Sequence, residues 1–335
     1  MAGRPATGWK FAAPAILAVA GVLAWISLDP QFEGSRLAAT VRRMFAEPLR
    51  ARVTDHLFAK SFLAVMSLTL ALEWLIPARP RQRWWSVGAV QDLGWFFYEG
   101  VLHASIVLTW VALLAHGRDR WLPDLPLPPF AGLPTGWKIA LGLLATDLCM
   151  WIQHWLHHRI PWLWKLHAVH HAQTELNFFT DFRYHVLEYV VRHTLLAVPL
   201  ILLRVEIPHI LALSVFLRWY TRFYHANIRT DLGALRYLLV TPQSHRIHHS
   251  IEERHHDRNL GSIFSIWDFL FRTQYRGWSE YPESGIRDAD FPLETSRSPL
   301  EVLVTPVRQM AYPLACIGRA ILAGLRRSRP GQSLP

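Results

Sequence analysis

Residues 187–224 read LEYVVRHTLLAVPLILLRVEIPHILALSVFLRWYTRFY, two apolar runs (187–203 and 207–224) parted only by Arg204, Val205 and Glu206. A helix that crosses a bilayer needs about 20 largely apolar residues, and so short a break, with Pro208 just beyond it, leaves room only for a tight turn. The pair is therefore predicted to be a helical hairpin that enters the bilayer and comes back. Three histidine groups flank it, 154–171 and His185 before it and 225–249 after it. A hairpin puts all three on one side. A single pass would set them about 30 Å apart across the hydrocarbon core.

The rest of the chain has the same character. Half of its 335 residues are hydrophobic and the mean hydropathy is +0.14, which points to a membrane. Tryptophans at 9, 25, 74, 84, 85, 137 and 155 flank apolar runs, where indole rings anchor at the headgroup level. Further candidate spans are 11–28, 56–76, 93–115 and 137–156, so the expected fold is all-α, a polytopic integral membrane bundle of five or six spanning helices. The first run lacks a small-residue cleavage pattern after it and is read as a retained segment. Residues 118–136 form a Pro- and Gly-rich connector. The run 302–325 is broken by Pro306, Arg308, Pro313 and Arg319 and is expected to lie on or against the membrane. This divides the chain into N-terminal membrane helices with their connector (1–136), a histidine-rich region (137–275) and an amphipathic, basic tail (276–335).

The net charge of +10 comes mostly from arginines between apolar runs or in the tail, which suits an anionic lipid surface. No helix-turn-helix, RNA-binding or zinc-finger pattern accompanies it, which excludes nucleic acid as a partner. The histidine side also receives Arg79, Arg81, Arg83, Arg246 and the basic C-terminus, which places it in the cytoplasm. Alternation puts loop 29–55 on the opposite side although it carries Arg36, Arg42, Arg43, Arg50 and Arg52. Either that loop packs as a surface helix or one of the first two segments does not fully span. Cys149 and Cys316 imply neither a disulfide framework nor a thiolate site.

Fifteen of the 18 histidines fall between residues 154 and 256. His154 and His158 are i,i+4, which sets both imidazoles on one helix face. His167, His170 and His171 form HxxHH, and so do His245, His248 and His249. Eight imidazoles exceed what one tetrahedral site uses, so two metal ions are implied. The isolated His56, His103, His116, His193 and His209 are read as surface or hydrogen-bonded residues. His157 is left outside the site, and His255 and His256, in a charged loop, are expected to be solvated. Imidazole suits Zn, Cu, Fe and Ni alike. A hydrolytic zinc site would carry a Glu base as in HExxH, and none is present.

These residues resemble the fatty acid hydroxylase and sterol desaturase superfamily, membrane histidine-box di-iron oxidases. The similarity runs from Asp147 to Thr273 through HWLHHRIPWLWKLHAVHH (154–171), ELNFFTDFRYH (175–185), HAN (225–227), TPQSHRIHHS (241–250) and DRNLGSIFSIWDFLFRT (257–273). The resemblance implies two iron ions held by His154, His158, His167, His170, His171, His245, His248 and His249, with His225 as a ninth ligand and His185 able to complete the shell. It also implies O2 as co-substrate and a lipid C–H bond as the target, hydroxylated or desaturated. Asp147, on the same helix face as His154, is the expected acceptor for that ring's outer nitrogen, with Glu188 and Asp268 in similar roles. Asn259 and Trp267 are expected to be structural. The chain departs from the family's pattern at Trp155, Leu260 and Arg272, which bears on the substrate headgroup and the redox-partner surface.

No Gly-rich dinucleotide fingerprint and no haem element is present, so no bound flavin or haem is expected. Electrons must come from an external donor, a ferredoxin or a cytochrome with its reductase. The rival class is a histidine-rich membrane metal-binding or metal-transport protein without redox catalysis, whose ligands would be strung near mid-membrane along a path. No residue selects among sterols, ether lipids and fatty acyl chains.

Overall fold

Every apolar run that falls within the described residues forms a helix. The computed structural model describes residues 60–99, scattered positions between 110 and 130, and 132–327 apart from 206. The run 11–28, loop 29–55, His56, His103 and most of 93–115 lie outside them. The helices are α1 (Lys60–Leu75), α2 (Val87–Tyr98), α3 (Thr135–Arg159), α4 (Pro161–His171), α5 (Val186–Leu202), α6 (Ile207–His225), α7 (Pro242–His248), α8 (Ile266–Leu270) and α9 (Pro299–Arg327). Among the described residues there is no strand, only isolated bridges. One helix among them, α3, is long and apolar enough to cross a membrane, and Phe62–Leu75 is a shorter apolar segment.

The hairpin α5–α6 forms where the sequence breaks. Arg204 takes φ 54°, and the N–H groups of Arg204 and Val205 donate to Ile201 O and Leu200 O at 3.0 Å each. That is a Schellman closure, which satisfies the end carbonyls of α5 and reverses the chain. Leu200 and Val205 are buried together with Leu196, Ala197 and Leu217, so the turn is also apolar inside. α5 packs chiefly along α3.

The corner between α3 and α4 is set by Pro161. A residue before proline is driven to extended backbone, and Ile160 has φ −98°, ψ 118°. Proline is then well placed at the first turn of α4. The face of α4 opposite its histidines, Ala168, Val169 and Ala172, is sealed on Phe62, Trp95, Phe178 and Phe182. Burying one such phenyl contributes about 1.5–3 kcal/mol. α7 starts at a reciprocal capping box: Ser244 N–H donates to Thr241 Oγ1 at 3.0 Å and Thr241 N–H to Ser244 Oγ at 2.9 Å.

The tail departs from the broken run its sequence suggests. α9 continues through Pro306 and Pro313 as one helix of 29 residues. Pro306 has no N–H to give Val302 O, and α2 approaches that carbonyl through Gly94, where a Cβ would lie 2.2 Å from it. Trp95 Nε1–H donates to the buried Gln309 Oε1 at 3.2 Å, fixing α9 on α2. The outer face carries Leu300, Leu303, Val307, Leu314 and Leu322, all exposed.

Candidate metal centre

Nine of the ten histidines expected to ligate metal meet in two adjoining groups. One contains His154, His158, His167, His171 and His248, the other His170, His225, His245 and His249, each group offering nitrogens within 4.8 Å of one another. Thus the ends of α3, α4, α6 and α7 converge, and each group draws on both sides of the hairpin. The groups touch where His171 stacks on His249, centroids 4.3 Å apart.

The outer nitrogens show what the inner ones can do. His154 Nδ1 lies 2.8 Å from Leu260 O, His248 Nδ1 2.9 Å from Arg258 O, His170 Nδ1 3.2 Å from Arg183 O and His225 Nδ1 2.6 Å from Thr221 O. A carbonyl only accepts, so each of these nitrogens carries the proton and leaves a bare lone pair on Nε2. Those lone pairs face inward. His154 Nε2 is 3.0 Å from His167 Nε2, and His225 Nε2 is 3.0 Å from His170 Nε2 and 2.8 Å from His245 Nε2. Nε2 of His158 and of His248 are buried with no hydrogen-bond partner. Opposed lone pairs without protons to share repel one another, and a cation between them is what such a set accommodates. The donors are all neutral nitrogen, which fits a first-row transition metal and not Mg or Ca. Burial and the neighbouring imidazoles hold His167, His170, His171, His245 and His249 well below the usual histidine range, and burial pushes His248 down to about 4. Deprotonated rings are the form that ligates.

Two expected roles are corrected by the geometry. His185 belongs to neither group. Its Nδ1 accepts from Leu187 N–H at 3.1 Å as the N-cap of α5, and Nε2–H donates to Met310 O at 2.9 Å, so both nitrogens are engaged in joining α5 to α9. Asp147 does not touch His154. It accepts from Ile263 N–H, Phe264 N–H and Trp267 Nε1–H at 2.8, 3.0 and 2.8 Å, clamping the loop after α7 to α3. His154 uses Leu260 O instead, and Asp268 holds that segment by accepting from Leu260 N–H and Gly261 N–H at 2.8 Å each. Glu188 does meet a ring, accepting from His167 Nδ1–H at 2.7 Å.

His157 lies outside both groups, Nδ1 2.7 Å from Gln153 O. His193 donates within its own helix to Tyr189 O at 2.8 Å, and His209 is exposed. His255 is not solvated: it is fully buried, 2.9 Å from Ser250 Oγ and 3.3 Å from Glu280 Oε2, because loop 250–256 folds back on residues 275–280.

Sequence reasoning missed Arg183. Its guanidinium is fully buried between Asp92 and Glu294, and Asp92 also accepts from Gln173 and Asn177 at 2.6 and 2.7 Å. This network fixes the backbone whose carbonyl orients His170, while the Tyr184 ring stacks on His170 at 4.7 Å. The signal was Asp92, a carboxylate inside an apolar stretch that must find a partner.

Residues 139–273 match the family model described as fatty acid hydroxylase. This segment belongs to the fatty acid hydroxylase superfamily. Ornithine lipid hydroxylase OlsE of Rhizobium tropici is 29% identical over 140 residues, 42% of each chain. Alkylglycerol monooxygenase of Homo sapiens is 26% identical over 219 residues, 63% of this chain and 46% of the human one. The Danio rerio alkylglycerol monooxygenase is 32% identical over 147 residues, 43% of this chain and 32% of its own. The matches span less than half the length of these relatives. No solved structure matches. The hydroxylase segment contains all nine clustered histidines, together with Asp268 and Glu188.

Proposed function

We propose that this protein is a multi-pass membrane di-iron oxidase that hydroxylates, or desaturates, a C–H bond of a lipid with O2 and two electrons from an external protein donor. The observation that carries the proposal is the pair of buried imidazole groups with inward-facing lone pairs, His154, His158, His167, His171 and His248 beside His170, His225, His245 and His249. The relatives named above, a lipid hydroxylase and lipid monooxygenases, support oxidative chemistry at that centre. Iron bound there would supply reductive activation of dioxygen and removal of hydrogen from carbon. The balance for hydroxylation is R–H + O2 + 2e⁻ + 2H⁺ giving R–OH + H2O. For desaturation a second C–H hydrogen leaves instead and both oxygen atoms end in water.

The chain's own residues do the holding. Carbonyls of Leu260, Arg183, Thr221 and Arg258 fix tautomers, Glu188 orients His167, and the sealed aromatic core under α4 keeps water from the centre's back. Membrane residence is supported by α3 and by large exposed apolar residues such as Trp74, Trp85 and the outer leucines of α9. The arginines beside the histidine boxes support a cytoplasmic face. A transport path would string its ligands across the membrane, whereas these close on themselves at helix ends.

Anaerobic purification with metal analysis, followed by oxygen-dependent turnover of a lipid extract, tests the proposal. About two irons per chain and a new hydroxylated or unsaturated lipid are expected. Stoichiometric zinc with no oxygen uptake overturns it.

A further inference from the structure

Two segments that belong to no candidate span fold down along the helices that carry the ligands. Residues 263–267 are held by Asp147, seven residues before His154 on α3, about 10 Å along the axis toward the bilayer. Phe271 stacks on Trp151, three residues before His154, with centroids 4.4 Å apart. On the other side Val240 O accepts from Tyr220 Oη–H, five residues before His225 on α6, about 7.5 Å toward the bilayer. The segments also pair with each other, Val240 N–H donating to Ile263 O at 2.9 Å and Ser265 N–H to Leu238 O at 3.0 Å. Leu239 and Phe264 close onto the buried core of the hairpin around Leu200 and Leu217. Both segments therefore reach past the level of the ligands toward the lipid.

What they turn outward is apolar. Leu235, Tyr237, Leu238, Leu270 and Phe271 are all exposed, Leu270 by 65%. The two sets are neighbours, since Tyr237 packs on Phe269 at 5.8 Å and on Trp278 at 6.1 Å. Arg272 is exposed beside them, and Arg236 lies over Trp278 at 4.7 Å. Of the carboxylates on these segments, Asp231 pairs with Arg236 and Asp268 is buried. Leucines rimmed by Tyr, Trp and Arg are what the boundary between headgroups and acyl chains selects. The backbone suits that place as well: Leu238 and Leu239 N–H donate to Leu235 O, Phe269 N–H to Ser265 O and Phe271 N–H to Trp267 O, which leaves these peptide groups little need of water. An exposed apolar patch can also receive a protein, but a water-soluble partner would have to descend below the ligands to meet this one.

We propose that residues 235–240 and 263–272 form a lip that dips into the bilayer surface, with Leu235, Leu238, Leu270 and Phe271 among the upper acyl chains and Arg272 among the headgroups. The histidine centre is then held at headgroup level by the cap itself as well as by the helices. The direction of the lip rests on the reading of α3 as a membrane span given above.

Site-specific quenching tests it. The full-length protein, with Cys149→Ser and Cys316→Ser, receives one cysteine at a time, Leu238→Cys, Leu270→Cys, Leu144→Cys or Asp290→Cys. Each is labelled with an environment-sensitive fluorophore in vesicles of phosphatidylcholine and phosphatidylglycerol. Labels at 238 and 270 are expected to be blue-shifted relative to 290, quenched by lipids carrying a nitroxide high on the acyl chain, and protected from aqueous iodide. The label at 290 should show the reverse. If either lip variant fails to fold, Leu235→Cys takes its place. Iodide quenching at 238 and 270 equal to that at 290 overturns the proposal, and so does protection from both quenchers, which would mean that protein covers the patch. The label at 144, in the middle of α3, separates the two readings. Protection there with an open lip sinks the lip alone, whereas iodide reaching 144 while the lip is quenched from the lipid sinks the span and leaves the lip standing.

Discussion

Replacing Asp268 by Asn probes the support of the metal centre without touching a ligand. The carboxylate is buried and receives four donors: Leu260 N–H and Gly261 N–H at 2.8 Å each, Trp151 Nε1–H at 3.0 Å and Thr273 Oγ1–H at 2.5 Å. Asn offers one accepting oxygen. In its best orientation that oxygen keeps the three donors on Oδ1 and turns NH2 against Gly261 N–H. One buried donor left unmatched costs about 1–3 kcal/mol. The three that remain lose their charge assistance, which roughly halves their strength. A destabilisation of about 3 kcal/mol is expected, together with a shifted Leu260 carbonyl and hence a looser His154. Groups that orient metal-bound histidines typically cost about 10- to 100-fold in metal affinity when lost, and one step further out about 10-fold is reasonable. The assay is thermal denaturation in detergent alongside metal retention against a competing chelator, with the exposed Asp290→Asn as control. An Asp268→Asn protein that melts with wild type and holds its metal equally well would show that loop 257–268 does not position the centre.

Three further outcomes are expected. His170→Ala should abolish turnover and lower metal content, while His193→Ala, which lies outside both imidazole groups and donates to Tyr189 O, should leave metal content unchanged; equal effects would refute the grouping. Arg183→Leu should destabilise by about 3–5 kcal/mol, read by thermal melts, because it strands Asp92 and Glu294 as buried charges. Acid should weaken the fold: the unfolded ring of His248 takes up a proton below about 6.5, whereas the folded ring resists until about 4. Stability is thus intact above the upper value and falls through that window, by about 2 kcal/mol at pH 5 from this ring alone. Melting and metal release measured across that range should show it, and a flat profile would contradict it.

The parts legible in the sequence were those set by local spacing. The i,i+3 and i,i+4 histidines declared their faces, and the three-residue break at Arg204–Glu206 declared the hairpin. What stayed hidden depends on partners far along the chain. His185 and Arg183 stand two apart in the short segment leading into α5; Arg183 supports the site because Asp92, 91 residues earlier, reaches its guanidinium, while His185 is drawn off by Met310, 125 residues later. Asp147 shares a face with His154 but satisfies itself on residues 263–267, whose arrival no helical period foretells. Likewise α9 continues past Pro306 with α2 packed closely on the freed Val302 carbonyl at Gly94, a contact 208 residues away in sequence.

The interleaving of the two imidazole groups has a consequence for biosynthesis. The group led by His154 waits for His248, and the group led by His170 waits for His225, His245 and His249. A ribosome has therefore to deliver both helices of the hairpin and all of α7 up to His248 before the first set of rings is complete, and His249 before the second. If metal is bound there as proposed, its full ligand set is complete only late in synthesis, and a nascent chain stopped at residue 240 would hold four rings of one group and only two of the other.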